Sequence, residues 1–175
     1  MSEYILDTPR LRLRTLDQAD AGFYLTLVTA PSFLEHIGDK GIRDEAGARA
    51  AIEQGPMQMQ RSRGYSFYAV ERRTDGVLLG ICGLVQRDSL PAPDIGYALL
   101  SAHWGQGYGL EAAGAVLAHA RDRLGLAELL GITSPANLAS IALLNKIGLR
   151  FSEQVLMPPD AHPTNVYRLV FPPAR

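Results

Sequence analysis

With 175 residues, 47% of them hydrophobic and 20% charged, the chain has the composition of one globular domain, large enough to bury most of its apolar surface. A formal net charge of −1 leaves no global field to draw it to nucleic acid or to an anionic membrane. No stretch approaches the apolar length of a membrane helix and the start has no leader-like apolar core, so a cytoplasmic protein is expected. The single cysteine, Cys82, excludes an internal disulfide and lies in an apolar run where a buried, inert thiol is expected. The four histidines share no ligand spacing with one another or with Cys82, which argues against zinc.

Thr8 to Arg14 alternates polar and apolar residues and reads as the first strand, with Arg10, Arg12 and Arg14 on one face. Asp17 then caps a short helix running through Phe23, Tyr24, Leu27 and Val28, and residues 31–42 are mixed. A second helix starts near Asp44 and continues past Gly55-Pro56, where the proline marks a break or a kink. Tyr65 to Glu71 and Val77 to Val85 are two strands joined by Arg73-Thr74-Asp75-Gly76, a hairpin signal. After a proline-containing loop, a strand spans residues 94–100, a glycine-rich turn follows, and a helix runs from Gly107 to Leu124. A strand over Glu128 to Ser134 leads to a helix capped by Asn137 and ended by Gly148, and two strands close the chain (150–157 and 164–171). A meander followed by a βαβ unit implies an α/β domain with a mixed sheet and helices on both faces, not a doubly wound one.

The turn Trp104-Gly105-Gln106-Gly107-Tyr108-Gly109 carries the chemistry. Alternate glycines strip side chains from it, and the first N–H groups of the following helix have no intrahelical partner, so strand, turn and helix start form an anion site suited to phosphate. The dinucleotide fingerprint fails, because position 110 is leucine rather than glycine and the turn follows a meander. The P-loop fails for want of Gly-Lys-Ser/Thr.

The same turn resembles the pyrophosphate-binding motif of the GCN5-related N-acetyltransferases, with Gly107 and Gly109 at its two small positions and Trp104 where Gln or Arg is usual. Trp-Gly-x-Gly-Tyr-x-x-Glu-Ala, together with Thr8-x-Arg10-Leu11-x-Leu13-Arg14, Asn137-x-x-Ser140 and Lys146-Ile147-Gly148-Leu149, is similar to the branch of ribosomal-protein N-terminal acetyltransferases. These motifs cover nearly the whole chain in the family's order.

The resemblance implies a mostly antiparallel sheet that opens after the strand over residues 94–100, with acetyl-CoA in the gap. The backbone near Leu99 would pair with the pantetheine arm. Amides of Gly105, Gln106, Gly107, Tyr108 and Gly109 would hold the pyrophosphate, and Asn137 and Ser140 would face the arm and the thioester sulfur. The chemistry implied is direct attack of a primary amine on the thioester, the amine belonging to a protein N-terminus, an amino acid or a small molecule. Leu144 stands where many members have a tyrosine acid, so Ser140 is the candidate proton donor to the thiolate. Asp94 is the candidate base, with Asp160 a second; Glu111 suits the dipole of its helix and is expected to be structural. Glu35, Asp39, Tyr65 and Tyr68 are candidates to meet the amine. A monomer or homodimer with no metal is expected, and a CoA-binding sensor without turnover is the rival reading.

Overall fold

The computed structural model describes residues 1–173. The chain opens with a hairpin, β1 (Tyr4–Asp7) and β2 (Leu11–Thr15), where the sequence predicts one strand. Pro9 has no N–H to give to a ladder, and the Thr8 hydroxyl accepts from the Leu11 amide at 2.9 Å, so residues 8–10 turn instead of extending. Arg10 therefore leaves the strand, and only Arg12 and Arg14 stand on it.

Asp17 caps a single 3₁₀ turn, accepting from the Ala19 amide at 2.9 Å, before α1 (Ala21–Val28). The mixed stretch contains a further short helix, α2 (Pro31–His36), begun by a proline in its first turn. Asp44 caps α3 (Glu45–Ile52) through the Gly47 amide at 2.7 Å. Pro56 neither ends nor breaks the helical path: a wide π turn over residues 53–57 absorbs the missing N–H, and α4 (Gln58–Arg63) continues.

β3 (Phe67–Arg72) and β4 (Leu78–Val85) form the expected hairpin, followed by β5 (Asp94–Leu99), α5 (Tyr108–Asp122), β6 (Glu128–Thr133), α6 (Leu138–Lys146), β7 (Arg150–Met157) and β8 (His162–Val170). The eight strands lie in the order β1-β2-β3-β4-β5-β6-β8-β7. Every pair is antiparallel except β5 with β6. Leu27, Val28, Ala48 and Ile52 of α1 and α3 cover one face with Ala69 and Ile81. Ala112, Val116 and Leu144 of α5 and α6 cover the other with Leu13, Val70, Leu79 and Leu129. No helix among the described residues is long and apolar enough to cross a membrane.

Gly131 on β6 lets α6 lie close on the sheet: a Cβ there would sit 2.6 Å from Leu144 Cδ2 and 3.2 Å from Leu149 Cδ2. Leu144, at the position where the resemblance leads one to look for a tyrosine, is thus a core residue, only 3% exposed. Gly131→Val should overpack this contact and lower unfolding free energy by about 1–3 kcal/mol in a urea titration. An unchanged midpoint would show that α6 does not depend on this seating.

Candidate active site

The parallel pair β5–β6 is joined only at Asp94↔Leu130 and Ile95↔Gly131, after which the strands part. On its other edge β5 stays paired with β4 as far as Leu99, opposite Gly80. The Leu100 amide donates to Leu79 of β4 at 2.9 Å, so by alternation the Leu99 N–H and C=O point the other way, into the gap. The same alternation aims the backbone of Tyr97 there. The gap thus presents a bare strand edge that an extended, amide-bearing chain can join. The Leu99 carbonyl already accepts from the Trp104 indole at 2.9 Å, a contact that ties the glycine turn to the strand before it.

At the mouth of the gap, Gly107 caps α5 with φ +80°, a left-handed conformation that favours glycine. The first of the helix's own bonds runs from the Glu111 amide to the Gly107 carbonyl at 3.1 Å, so the amides of Tyr108, Gly109 and Leu110 before it are left for a ligand. Gly105, Gln106 and Gly107 are exposed, whereas the Tyr108 side chain is buried and contributes only backbone. The five positions expected to meet a pyrophosphate therefore form one continuous turn at a helix N-terminus, a fit to that dianion by both geometry and dipole.

This turn is held from the first hairpin. Thr8 donates its hydroxyl to Glu111 Oε1 at 2.5 Å, the Arg10 amide donates to the same oxygen at 2.9 Å, and Arg10 Nε donates to Glu111 Oε2 at 2.7 Å. Burial alone would raise the Glu111 carboxyl, but these donors hold it below its ordinary range. The structural role expected of Glu111 is this anchorage. Sequence reasoning missed Arg10's part in it, although Thr8, Arg10 and Glu111 all lie within recognised motifs.

Asn137 and Ser140 open α6 beside the gap, both half-buried. Asn137 Oδ1 accepts from the Ser140 amide at 3.2 Å, so the asparagine is the N-cap that its sequence position predicts. The Ser140 hydroxyl faces the phenol of Tyr97, which burial raises and Ser140 partly lowers. Tyr97 carries no sequence motif, and only the register of β5 brings it here, on the same face as Ile95 and Leu99.

Asp94 lies on the opposite face. It is 1% exposed and accepts from Arg87 Nε at 2.8 Å, so it is a buried ion-paired carboxylate and not a solvated loop residue. Burial pushes its carboxyl up and the Arg87 charge opposes this. Asp160 stands exposed in the turn between β7 and β8. Ser140 and Asp94 thus lie on opposite faces of the sheet, Asp94 at the joined end of β5 and β6, where it pairs with Leu130.

The acceptor candidates divide. Glu35 is exposed beside His36, whose ring lies 6.5 Å from that of Trp104, and Asp39 is exposed but bonded to Arg43 at 2.6 Å. Tyr65 and Tyr68 are both buried, Tyr68 completely, in the core beneath α5, so Tyr68 does not meet an amine at the surface. The alternation of β3 turns it inward, next to Cys82. Cys82 is fully buried and its thiol is pushed up to about 12, which keeps it protonated and inert.

The family model described as the acetyltransferase (GNAT) domain matches residues 10–150. An uncharacterised N-acetyltransferase of Bacillus subtilis strain 168, YoaA, is 27% identical over 175 residues, covering 96% of this chain and 97% of its own. The crystal structure of an acetyltransferase from Agrobacterium tumefaciens superposes with a TM-score of 0.78 at 27% identity, covering 94% of this chain and 92% of that one. The ribosomal L7/L12 α-N-protein acetyltransferase RimL in complex with coenzyme A shares the fold, with a TM-score of 0.82 at 20% identity and 96% and 98% coverage. The chain belongs to the GNAT acetyltransferase family, whose members use acetyl-CoA as acetyl donor.

Proposed function

We propose that this protein is an N-acetyltransferase of the ribosomal-protein N-terminal acetyltransferase branch, a single catalytic domain that moves the acetyl group of acetyl-CoA to a primary amine in a ternary complex. The observation that carries the reading is the gap between β5 and β6, with the backbone of Tyr97 and Leu99 facing it and the 105–109 turn at its mouth. In this reading the pantetheine arm adds to the Leu99 edge, the turn's amides hold the pyrophosphate, and Asn137 and Ser140 line the arm.

The amine lone pair attacks the thioester carbonyl, a C–N bond forms and the C–S bond breaks. The ammonium proton leaves through solvent toward Asp94, on the face opposite Ser140, while the Ser140 hydroxyl protonates the departing thiolate; solvent then returns a proton to Ser140 and takes the one held by Asp94. Net, one proton passes from amine to CoA thiol, so the reaction balances without metal or redox partner. Calorimetric titration tests the donor assignment: acetyl-CoA should bind and CoA should compete with it. Binding of NAD in place of CoA would overturn the assignment.

The Asp94 assignment makes its own prediction. Only the ionised carboxylate accepts a proton, so kcat/KM for the amine should fall as pH drops through the raised Asp94 value, above the usual carboxylate range. Asp94→Asn should remove this acidic limb, and Arg87→Ala should move it to higher pH because the cation favouring ionisation is gone. Stability runs the other way: a raised folded value favours the folded state at low pH, a contribution lost as pH rises through it. A limb that stays put in Arg87→Ala assigns the base elsewhere.

A further inference from the structure

The acetyl-CoA reading leaves one question about the pyrophosphate turn, namely how a carboxylate comes to sit in the first turn of the helix that is to bind a dianion. Glu111 lies one residue past the unpartnered amides of Tyr108, Gly109 and Leu110. Bare, its charge would repel a pyrophosphate at that helix end. It is not bare. The Arg10 side chain reaches across from the first hairpin, donating from Nε to Glu111 Oε2 at 2.7 Å and from Nη1 to the Gln106 carbonyl at 2.8 Å. Its guanidinium lies 4.5 Å from the centre of the Tyr108 ring, and Nη2 is 3.3 Å from where a Cβ of Gly107 would be.

Resting on the acetyl-CoA reading, we propose that Arg10 is the positioning residue of the cofactor turn, clamping Glu111 and the Gln106 carbonyl so that residues 105–109 keep their amides toward the pyrophosphate. Each contact has a distinct consequence. The bond to Gln106 points that carbonyl toward the hairpin, so its oxygen does not face the anion. The pair with Glu111 cancels the one negative charge in the first turn, and the stack on Tyr108 fixes the residue that starts α5. The planar fork of arginine makes the bonds to the carboxylate and the carbonyl at once, which the point charge of lysine does not.

The test compares two donors that differ only in the phosphate-bearing part, acetyl-CoA and S-acetylpantetheine. Arg10→Ala should weaken acetyl-CoA binding by about 10- to 100-fold, the range for losing charge-assisted hydrogen bonds, and leave KM for S-acetylpantetheine within about twofold. Arg10 is half-exposed, so the melting temperature should hold, and circular dichroism checks this. Arg10→Lys should bind acetyl-CoA nearly as weakly as the alanine variant, whereas Glu111→Gln in the Arg10→Ala background should recover part of the loss. Equal weakening toward both donors would mark Arg10 as merely structural, and full affinity in Arg10→Lys would show that charge alone suffices. Either result overturns the clamp. Failure of the unaltered protein to bind acetyl-CoA would instead sink the donor reading on which the clamp rests.

Discussion

Gly107→Glu is expected to abolish acetyl-CoA binding while the fold survives. Three effects act together at this position. Gly107 holds φ +80°, where any side chain pays about 1–2 kcal/mol of strain. A Cβ there meets Arg10 Nη2 at 3.3 Å and disturbs the contact that steadies the turn. Most of the loss comes from placing a carboxylate where a dianion is to bind; like charges about 4 Å apart at a protein surface repel by about 4 kcal/mol. At about 1.4 kcal/mol per decade, affinity should drop by more than about a hundredfold. Gly107 is exposed and caps the helix from outside, so the core clusters do not sense the change. Calorimetry and a thermal melt read the two halves of this expectation. An unaltered affinity for acetyl-CoA would remove the turn from the cofactor site. Gly107→Ala is the control, retaining the strain but adding no charge, and should fall between wild type and the glutamate variant.

Ser140→Ala is expected to lower kcat by about 100-fold, the lower end of what a positioned proton donor contributes, with little change in KM for acetyl-CoA. The substitution is clean because what ties Ser140 to the helix cap is its backbone: the amide donates to Asn137 Oδ1, and alanine keeps that bond. Only the hydroxyl that faces Tyr97 is lost. Leu144, at the position of the family's usual tyrosine acid, is packed against Gly131 in the core and has no proton to give. An unchanged kcat in Ser140→Ala would show that the thiolate takes its proton from elsewhere, and Tyr97→Phe is then the next variant to measure. A loss confined to KM would make Ser140 a contact to the arm and not a donor.

The parts of this molecule legible in the sequence are those set by neighbours along the chain. The α5 start follows from alternate glycines and the α6 start from the Asn137 cap, each a matter of a few residues, and both stand where the sequence predicts. The same holds for Asp44, while Asp17 caps a 3₁₀ turn that leads into α1 rather than α1 itself. β1 was hidden because four residues carry no reliable alternation and gain their structure from pairing with β2. α2 was hidden for a similar reason, being a helix of barely more than a turn. The aromatic run around Tyr68 predicts a strand but not which side faces inward, so the sequence offers Tyr68 as an acceptor contact whereas it belongs to the core. The Arg10–Glu111 clamp joins residues 101 positions apart, and no local pattern announces such a contact. Asp94 was visible as a carboxylate at a strand start; its burial and its partner Arg87 were not.

The family assignment gives the donor and the reaction class, and the gap between β5 and β6 is where we propose that they meet. Transfer to an amine is the central claim. It is tested most directly by following CoA thiol release from acetyl-CoA across peptides starting with Ser, Ala or Met, free amino acids and small amines, with mass spectrometry of the acceptor. Thiol release should appear with at least one of these classes, accompany an acetyl group on the amine, and vanish in Gly107→Glu. Tight binding of acetyl-CoA with no thiol release on any amine would contradict the claim and make the protein a CoA-responsive sensor that has kept the cleft and lost turnover.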